Sequence, residues 1–306
     1  MKRLYTFVIS LLCGILAVNA QETFIANNLV YSVNDDGVSV TVTGHVDGTE
    51  ATGDIVIPNT VSYNGMDFSV TIIGEYAFNY SHKLHGTLTI GNNVTDIKRG
   101  AFKRCDSLSG NLIMPNSLIN IGDAAFSDCD GFTGPLTIPN SVVYIGTCAF
   151  DQCDGFDGTL TIGNSVSNIG NGAFILCSNI SEAICLAMEP PTLGYSVGSN
   201  MSSVFYGFGC STLIVPCGSK TKYENSPWHD SFGGFSTIIE DCENVLEVDD
   251  NPIPVAIDIF SLDGRFVKSQ TNNLSTIDIS SLDAGFYVIK VKMSDGKEFS
   301  EKIVVK

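Results

Sequence analysis

From Leu88 onward the apolar positions return to the same places every 24 residues. The rows LTIGNNVTDIKRGAFKRCDSLSGN, LIMPNSLINIGDAAFSDCDGFTGP, LTIPNSVVYIGTCAFDQCDGFDGT and LTIGNSVSNIGNGAFILCSNISEA align without gaps. Each opens on an L-x-I triplet, the alternation of a short strand whose ends point inward and whose middle residue points outward. A Pro-Asn or Gly-Asn step follows and reads as a turn. Ile97, Ile121, Ile145 and Ile169 form an inward column, followed by columns of Ala101, Ala125, Ala149 and Ala173, and of Phe102, Phe126, Phe150 and Phe174. Asn92, Asn116, Asn140 and Asn164 share another, and Phe78 extends the phenylalanine column one row earlier. The rows beginning at Leu112 and Leu136 agree at 13 of 24 positions. No row holds enough apolar surface to bury alone, but stacked rows share a continuous core. The pattern therefore predicts a solenoid whose rows pair as a parallel β ladder about 4.8 Å apart. Gly110, Gly134 and Gly158 mark a corner that needs unusual backbone angles.

The flanks read differently. LVYSV, NDDG and VSVTVTG form a hairpin signal, so residues 21–57 are expected to cap the stack. DIVIPNT at 54–60 is the first repeat-like strand, and SYNGMDFSV at 62–70 reads as an insertion. The solenoid with its C-terminal cap spans 58–241, and Pro190, Pro191 and Trp228 supply the closing cover. An acidic linker over 242–252 leads to residues 253–306, whose alternating strands and turns at Asp263-Gly264, Asp283 to Gly285 and Asp295-Gly296 predict a small antiparallel β-sandwich. The fold class is thus β-rich: a 24-residue-repeat solenoid with an N-terminal hairpin cap, plus a C-terminal sandwich.

Charge narrows the partners. The net charge is −17, and 14 Lys and Arg against 33 Asp and Glu leave −19 beyond residue 20. Such a surface repels nucleic acid and anionic lipid. MKRLYTFVISLLCGILAVNA has the basic start, short apolar run and small residues of a cleaved export signal over 1–20. No segment reaches the length of a membrane span. The chain is expected outside the cytoplasm, where disulfides form.

CAFDQCDGF, residues 148–156, places Cys148 and Cys153 beside Asp151 and Asp154 in the manner of metal ligands or an activated nucleophile. The period gives another reading. Cys153 is one rung of Cys105, Cys129, Cys153 and Cys177, small weakly polar groups suited to an inward corner. Cys148 reads as a small-residue substitution in the column Gly100, Ala124, Cys148, Gly172. Asp106, Asp130 and Asp154 read as turn formers. A calcium site at Asp128 and Asp130, or at Asp151, Asp154 and Asp157, lacks the ligand spacing of a known loop. Cys185, Cys210, Cys217 and Cys242 lie near the closing end. If STLIVP between Cys210 and Cys217 is a strand, they stand about 23 Å apart, too far for one bond. Of the two pairings left, Cys185–Cys210 with Cys217–Cys242 is the expected one. His82 and His85 form an H-x-x-H without a third ligand, and no nucleophile elbow, zinc helix or phosphate loop is present. Neither a catalytic residue, a resident metal nor a cofactor is expected.

These rows resemble the BspA-like class of bacterial leucine-rich repeats, with the pattern L-x-I-P-x-S-V-x-x-I-G-x-x-A-F-x-x-C, over roughly residues 55–240. The closing segments ICLAMEPPTL and STLIVPCGSKTKYENSPW resemble the last repeats of that family. The resemblance implies a surface or secreted binding protein, some relatives being adhesins for matrix proteins or other microbes. Rows here are one residue longer than the commonest length. IDIFSLDGRFV, ISSLDAGFYVIKV and the terminal KIVVK resemble the C-terminal sorting domain of the bacterial type IX secretion system. That resemblance implies passage across the outer membrane through this machinery, with removal of the domain.

The expected function is therefore non-enzymatic binding or adhesion at the cell surface, to a protein or glycan. Two outward lines are candidate binding surfaces: Thr89, Ile113, Thr137 and Thr161, and Asp96, Asn120, Tyr144 and Asn168. They vary from row to row while the core columns stay constant. A structural, assembly-forming repeat protein is the alternative, with a metal-dependent enzyme third.

Overall fold

The computed structural model describes residues 22–46, 53–195, 204–229, 234–242, 254–261, 265–270, 282, 285–293 and 298–305. The expected export signal and most of the acidic linker lie outside them. The chain divides into two units, Met1–Leu246 and Glu247–Lys306.

The first unit is a β-solenoid with two parallel ladders where the sequence emphasised one. The narrow ladder stacks Asp96–Ile97, Asn120–Ile121, Tyr144–Ile145, Asn168–Ile169 and Thr192–Leu193, each in register with the next. The broad ladder stacks Gly134–Ile138, Phe156–Ile162, Ile180–Cys185, Thr212–Pro216 and Thr237–Asp241. Leu88–Ile90 pairs with Ile55–Ile57 in the same manner. Between these sets, Leu112–Met114 keeps the buried–exposed–buried alternation but forms no strand. Isolated bridges from Gly86 to Leu108 and from Gly110 to Phe132 carry the pairing there.

A third side of each row is an arc of turns. Its amides also bond the following row: Phe102 N–H to Ala125 O, Phe126 N–H to Ala149 O and Phe150 N–H to Ala173 O, each at 2.8 Å. Two columns of the arc are left-handed in every row. Tyr76, Gly100, Ala124, Cys148 and Gly172 have φ between 50° and 66°, and Tyr80, Arg104, Asp128, Gln152 and Leu176 have φ between 57° and 59°. The first column was expected to select small side chains. Tyr76 corrects that: backbone angle defines the column, and Gly fills two places because φ > 0 is free for it. The corner glycines Gly110, Gly134 and Gly158 sit at φ 79°, 79° and 94°.

The interior follows the columns. Phe78, Phe102, Phe126, Phe150, Phe174 and Phe205 stack with centroids 5.1–5.7 Å apart and nearly parallel planes. Offset aromatic stacking adds to the area each ring removes from water.

Both ends are closed. Thr23–Ala26, Leu29–Val33 and Ser39–His45 form an antiparallel meander whose last strand pairs parallel with Met66–Ile73. Residues 62–70, expected as an insertion, are part of a hairpin instead: Thr60–Tyr63 pairs with Met66–Ile73. Asn64 and Gly65, both at positive φ, form its two-residue turn. At the far end Trp228 is fully buried against Phe205, with its indole N–H donating to Pro191 O at 2.8 Å.

In the second unit, Phe266–Gln270, Pro254–Ser261, Gly285–Met293 and Glu298–Val305 form one antiparallel sheet in that order. Ile257, Ile259 and Ile289 are buried. One sheet of the expected sandwich lies among the described residues. The Asp263-Gly264 and Asp295-Gly296 turns lie outside them.

Candidate functional site

The two outward lines lie on different sheets, separated in each row by the asparagine turn, so they do not make one surface. Thr89 and Thr137 are exposed, Thr161 is half-buried, and Ile113 projects where the strand is interrupted.

The line on the narrow ladder is more structured. Asp96 accepts from Lys98 Nζ at 2.8 Å, Thr95 Oγ1 at 2.8 Å and Asn120 Nδ2 at 3.1 Å. Burial opposes its charge, but these hydrogen bonds and the Lys98 charge hold the carboxyl below its ordinary value. Tyr144 hydrogen-bonds Asp123; burial and then the Asp123 charge push its phenol up. Asn168 donates to Ser167 Oγ at 3.0 Å. Ile119, Val143 and Tyr144 stand 41%, 40% and 39% exposed on neighbouring rows. The result is an apolar and aromatic centre rimmed by Asp96, Asn120 and Asn168, the anatomy of a protein-binding patch. Ile119 and Val143 were missed from sequence. Their signal was an apolar residue in an outward column that elsewhere holds Thr95 and Ser167.

The cysteines separate into three environments. Cys105, Cys129, Cys153 and Cys177 are buried free thiols. Each donates to the phenylalanine carbonyl one row earlier: Phe78, Phe102, Phe126 and Phe150, at 2.9–3.0 Å. Burial pushes Cys105 and Cys177 up to about 12 and Cys129 and Cys153 well above the ordinary thiol range. Such groups are neither nucleophiles nor thiolate ligands at neutral pH. Cys148, on the arc, is half-buried, and burial raises it too.

At the closing end Cys217 and Cys242 form a disulfide, Cα atoms 4.8 Å apart. The expected Cys185–Cys210 bond is absent. Ala183 lies beside Leu213 and Ile184 beside Ile214, so Cys185 is level with Val215, and Cys210 sits about five residues back. At about 3.3 Å per residue that is roughly 16 Å, beyond disulfide reach. Cys185 is instead buried 3.1 Å from Tyr223 Oη, and Cys210 Sγ bonds Thr212 O at 2.9 Å. Tyr223 belongs to a short helix, Lys220–Glu224, that periodicity did not reveal.

The candidate calcium acids are engaged separately. Asp154 accepts from Ser178 Oγ at 2.9 Å, and Asp157 accepts from Gly134 N–H at 2.7 Å. Burial, then the charges of Asp128, Asp154 and Asp106, raise Asp130. Among the described residues the one trio of His, Cys, Asp or Glu within mutual ligand reach is Cys217, Glu240 and Cys242, where both sulfurs are in the disulfide. His82 Nδ1 lies 3.0 Å from Asp106 on the surface and forms no such group with His85.

A stack with a constant core and changing outward positions defines a repeat-scaffold protein. Six copies of the BspA type Leucine rich repeat region match within residues 60–203, and the Secretion system C-terminal sorting domain matches residues 242–306. The chain therefore carries a BspA-type leucine-rich repeat region followed by a type IX sorting domain, which marks it for export. No match was found among curated proteins. The chain is similar in structure to a leucine rich repeat protein of T. pallidum, at 21% identity and TM-score 0.48, covering 64% of this chain and 86% of that one. It is also similar to the pneumococcal vaccine antigen PcpA, at 23% identity and TM-score 0.49, covering 65% and 51%. A leucine-rich repeat protein of Bacteroides ovatus follows at 18% identity and TM-score 0.34, covering 71% and 76%. No membrane-spanning helix occurs among the described residues.

Proposed function

We propose that this is a surface-delivered, non-catalytic binding protein that engages a protein or glycan through the outward face of its narrow ladder. The observation carrying the proposal is the exposed cluster of Ile119, Val143 and Tyr144 on an otherwise polar outward line. The core columns repeat while this line changes with every row, as a displayed surface would. Clustered apolar and aromatic anchors with a polar rim concentrate binding energy. The sorting domain delivers the scaffold and is then removed.

The test begins with protein recovered from its own cell surface. Its mass is expected to lack about 20 residues at the N-terminus and about 60 at the C-terminus, leaving the solenoid. That mature protein is then presented to immobilised matrix proteins and to a glycan array. The variant V143T/Y144N replaces each residue with one carried by the same column in another row, which preserves the fold. It is expected to weaken the strongest interaction on the panel about a hundredfold, the scale of two anchor residues. Unchanged affinity for every partner would remove the narrow ladder as the binding face.

A further inference from the structure

Between residues 22 and 242 there are seven Lys and Arg, and five of them are Lys83, Lys98, Arg99, Lys103 and Arg104. No Lys or Arg follows until Lys220. A strongly acidic chain thus collects its cations on one row and the edge of the row before. This band also carries exposed aromatic rings. Tyr76 and Tyr80, 45% and 50% exposed, stand on the outer side of the arc. Their amides bond Arg99 O and Lys103 O, each at 2.9 Å. The Tyr76 ring lies against Gly100 so closely that a Cβ there would meet Cδ1 and Cε1 at 2.6 Å. The ring is therefore seated on backbone, and its remaining surface is open. The Arg104 guanidinium lies 5.0 Å from the centre of the Tyr80 ring and reaches Asp128 at 3.4 Å. His82 meets Tyr80 edge-on at 6.0 Å.

We propose that Tyr76, Tyr80, Arg99, Lys103 and Arg104 form a binding site for an acidic polysaccharide, a uronate or sulfated glycan. The site lies on the arc, apart from the narrow ladder, so it goes beyond the function proposed above. A sugar ring offers a C–H face that stacks on a seated tyrosine, and its carboxylate or sulfate pairs with the flanking cations. Arg104, already oriented between Tyr80 and Asp128, gives up little freedom on binding. The next row places Asp123 and Asp128 at the border of the patch, acceptors suited to sugar hydroxyls. An exported chain, moreover, meets polysaccharide at the cell surface.

The experiment measures the full exported chain against heparin, polygalacturonate, neutral dextran and a single-stranded oligonucleotide over a salt series. Substitutions are taken from the same columns in other rows, where the fold already accommodates them: Tyr76→Ala from Ala124, Tyr80→Gln from Gln152, Arg99→Thr from Thr147 and Lys103→Ser from Ser127. Unchanged circular dichroism and thermal midpoint confirm folding. Heparin or polygalacturonate is expected to bind more tightly than the oligonucleotide, and dextran not at all. Arg99→Thr with Lys103→Ser should weaken binding and flatten its salt dependence by about two ion pairs. Tyr76→Ala and Tyr80→Gln should each weaken it roughly tenfold while leaving the salt slope unchanged, the behaviour of a stacking contact. Absence of glycan binding would overturn the proposal. So would binding that is indifferent to both tyrosines, or an oligonucleotide that binds as tightly, since either result describes a general polyanion surface.

Discussion

Two groups of cysteines experience the same compartment and end in different states. In the middle of the stack, Cys105, Cys129, Cys153 and Cys177 repeat every 24 residues and remain thiols, each donating to a phenylalanine carbonyl of the row before. At the closing end, Cys217 and Cys242 are joined. Register explains the bond, because Pro216 lies beside Asp241 and the next residues along both strands are the two cysteines. In the middle of the stack, each sulfur is aimed at a carbonyl and sealed from water. A cysteine in an exported chain thus becomes structural by its hydrogen-bond partner or by its covalent one, and strand geometry chooses which.

The largest way to break this contrast is alkali. A buried thiol with a raised pKa keeps its proton in the folded state and loses it on unfolding near 9, the ordinary value. Between pH 9 and about 12 the unfolded chain therefore binds fewer protons, and stability falls as pH rises. Below pH 9 the contribution is complete. Each thiol adds a slope approaching about 1.4 kcal/mol per pH unit. Cys105, Cys129, Cys153, Cys177 and Cys185, raised by burial to about 11 in the last case, act together. A domain stable by about 5–15 kcal/mol is expected to unfold cooperatively before pH 12. Circular dichroism across pH 8–12 checks this, and C105S/C129S/C153S/C177S should shift the midpoint upward.

The disulfide ranks next. It closes a loop of 25 residues, for which chain entropy gives about 3.5 kcal/mol. The variant C217S/C242S is expected to lose about that much from the closing end. Hydrogen exchange should quicken first over Thr212–Pro216 and Thr237–Asp241, while the amides of Phe102, Phe126 and Phe150 stay protected. Uniform loss of protection would mean that the cap and the stacked rows unfold as one unit.

What repetition made legible and what it hid can be told residue by residue. A buried position is constrained in every row, so Ile121, Phe126 and Cys129 announced the core by recurring. Left-handed backbone is not a property of side chains alone. It follows from which amides bond the next row, so Tyr76 and Gly100 share a conformation that their identities conceal. Asn64-Gly65 is a hairpin signal in plain view, which the 24-residue frame makes read as an interruption. The distance between Cys185 and Cys210 depends on the strand register, which only the folded ladders supply. The outward surface was legible as variable columns, but the basic and aromatic patch runs across a row. Reading down columns dispersed IKRGAFKRC among unrelated neighbours.

The smallest effect tests why the column is cysteine. Cys153 is fully buried, and its thiol donates to Phe126 O at 3.0 Å. If that hydrogen bond is the reason, Cys153→Ser keeps a donor and should cost only about 0.5 kcal/mol. Cys153→Ala, which leaves the carbonyl without it, should cost about 1.5 kcal/mol. If the column instead requires a small apolar filler, the order reverses, because serine then brings a hydroxyl into an apolar site for no gain. Ser81, which holds this column one row before Cys105, is only half-buried. Serine where burial is incomplete and cysteine where it is complete favours the second outcome. Urea midpoints for the two variants decide between them.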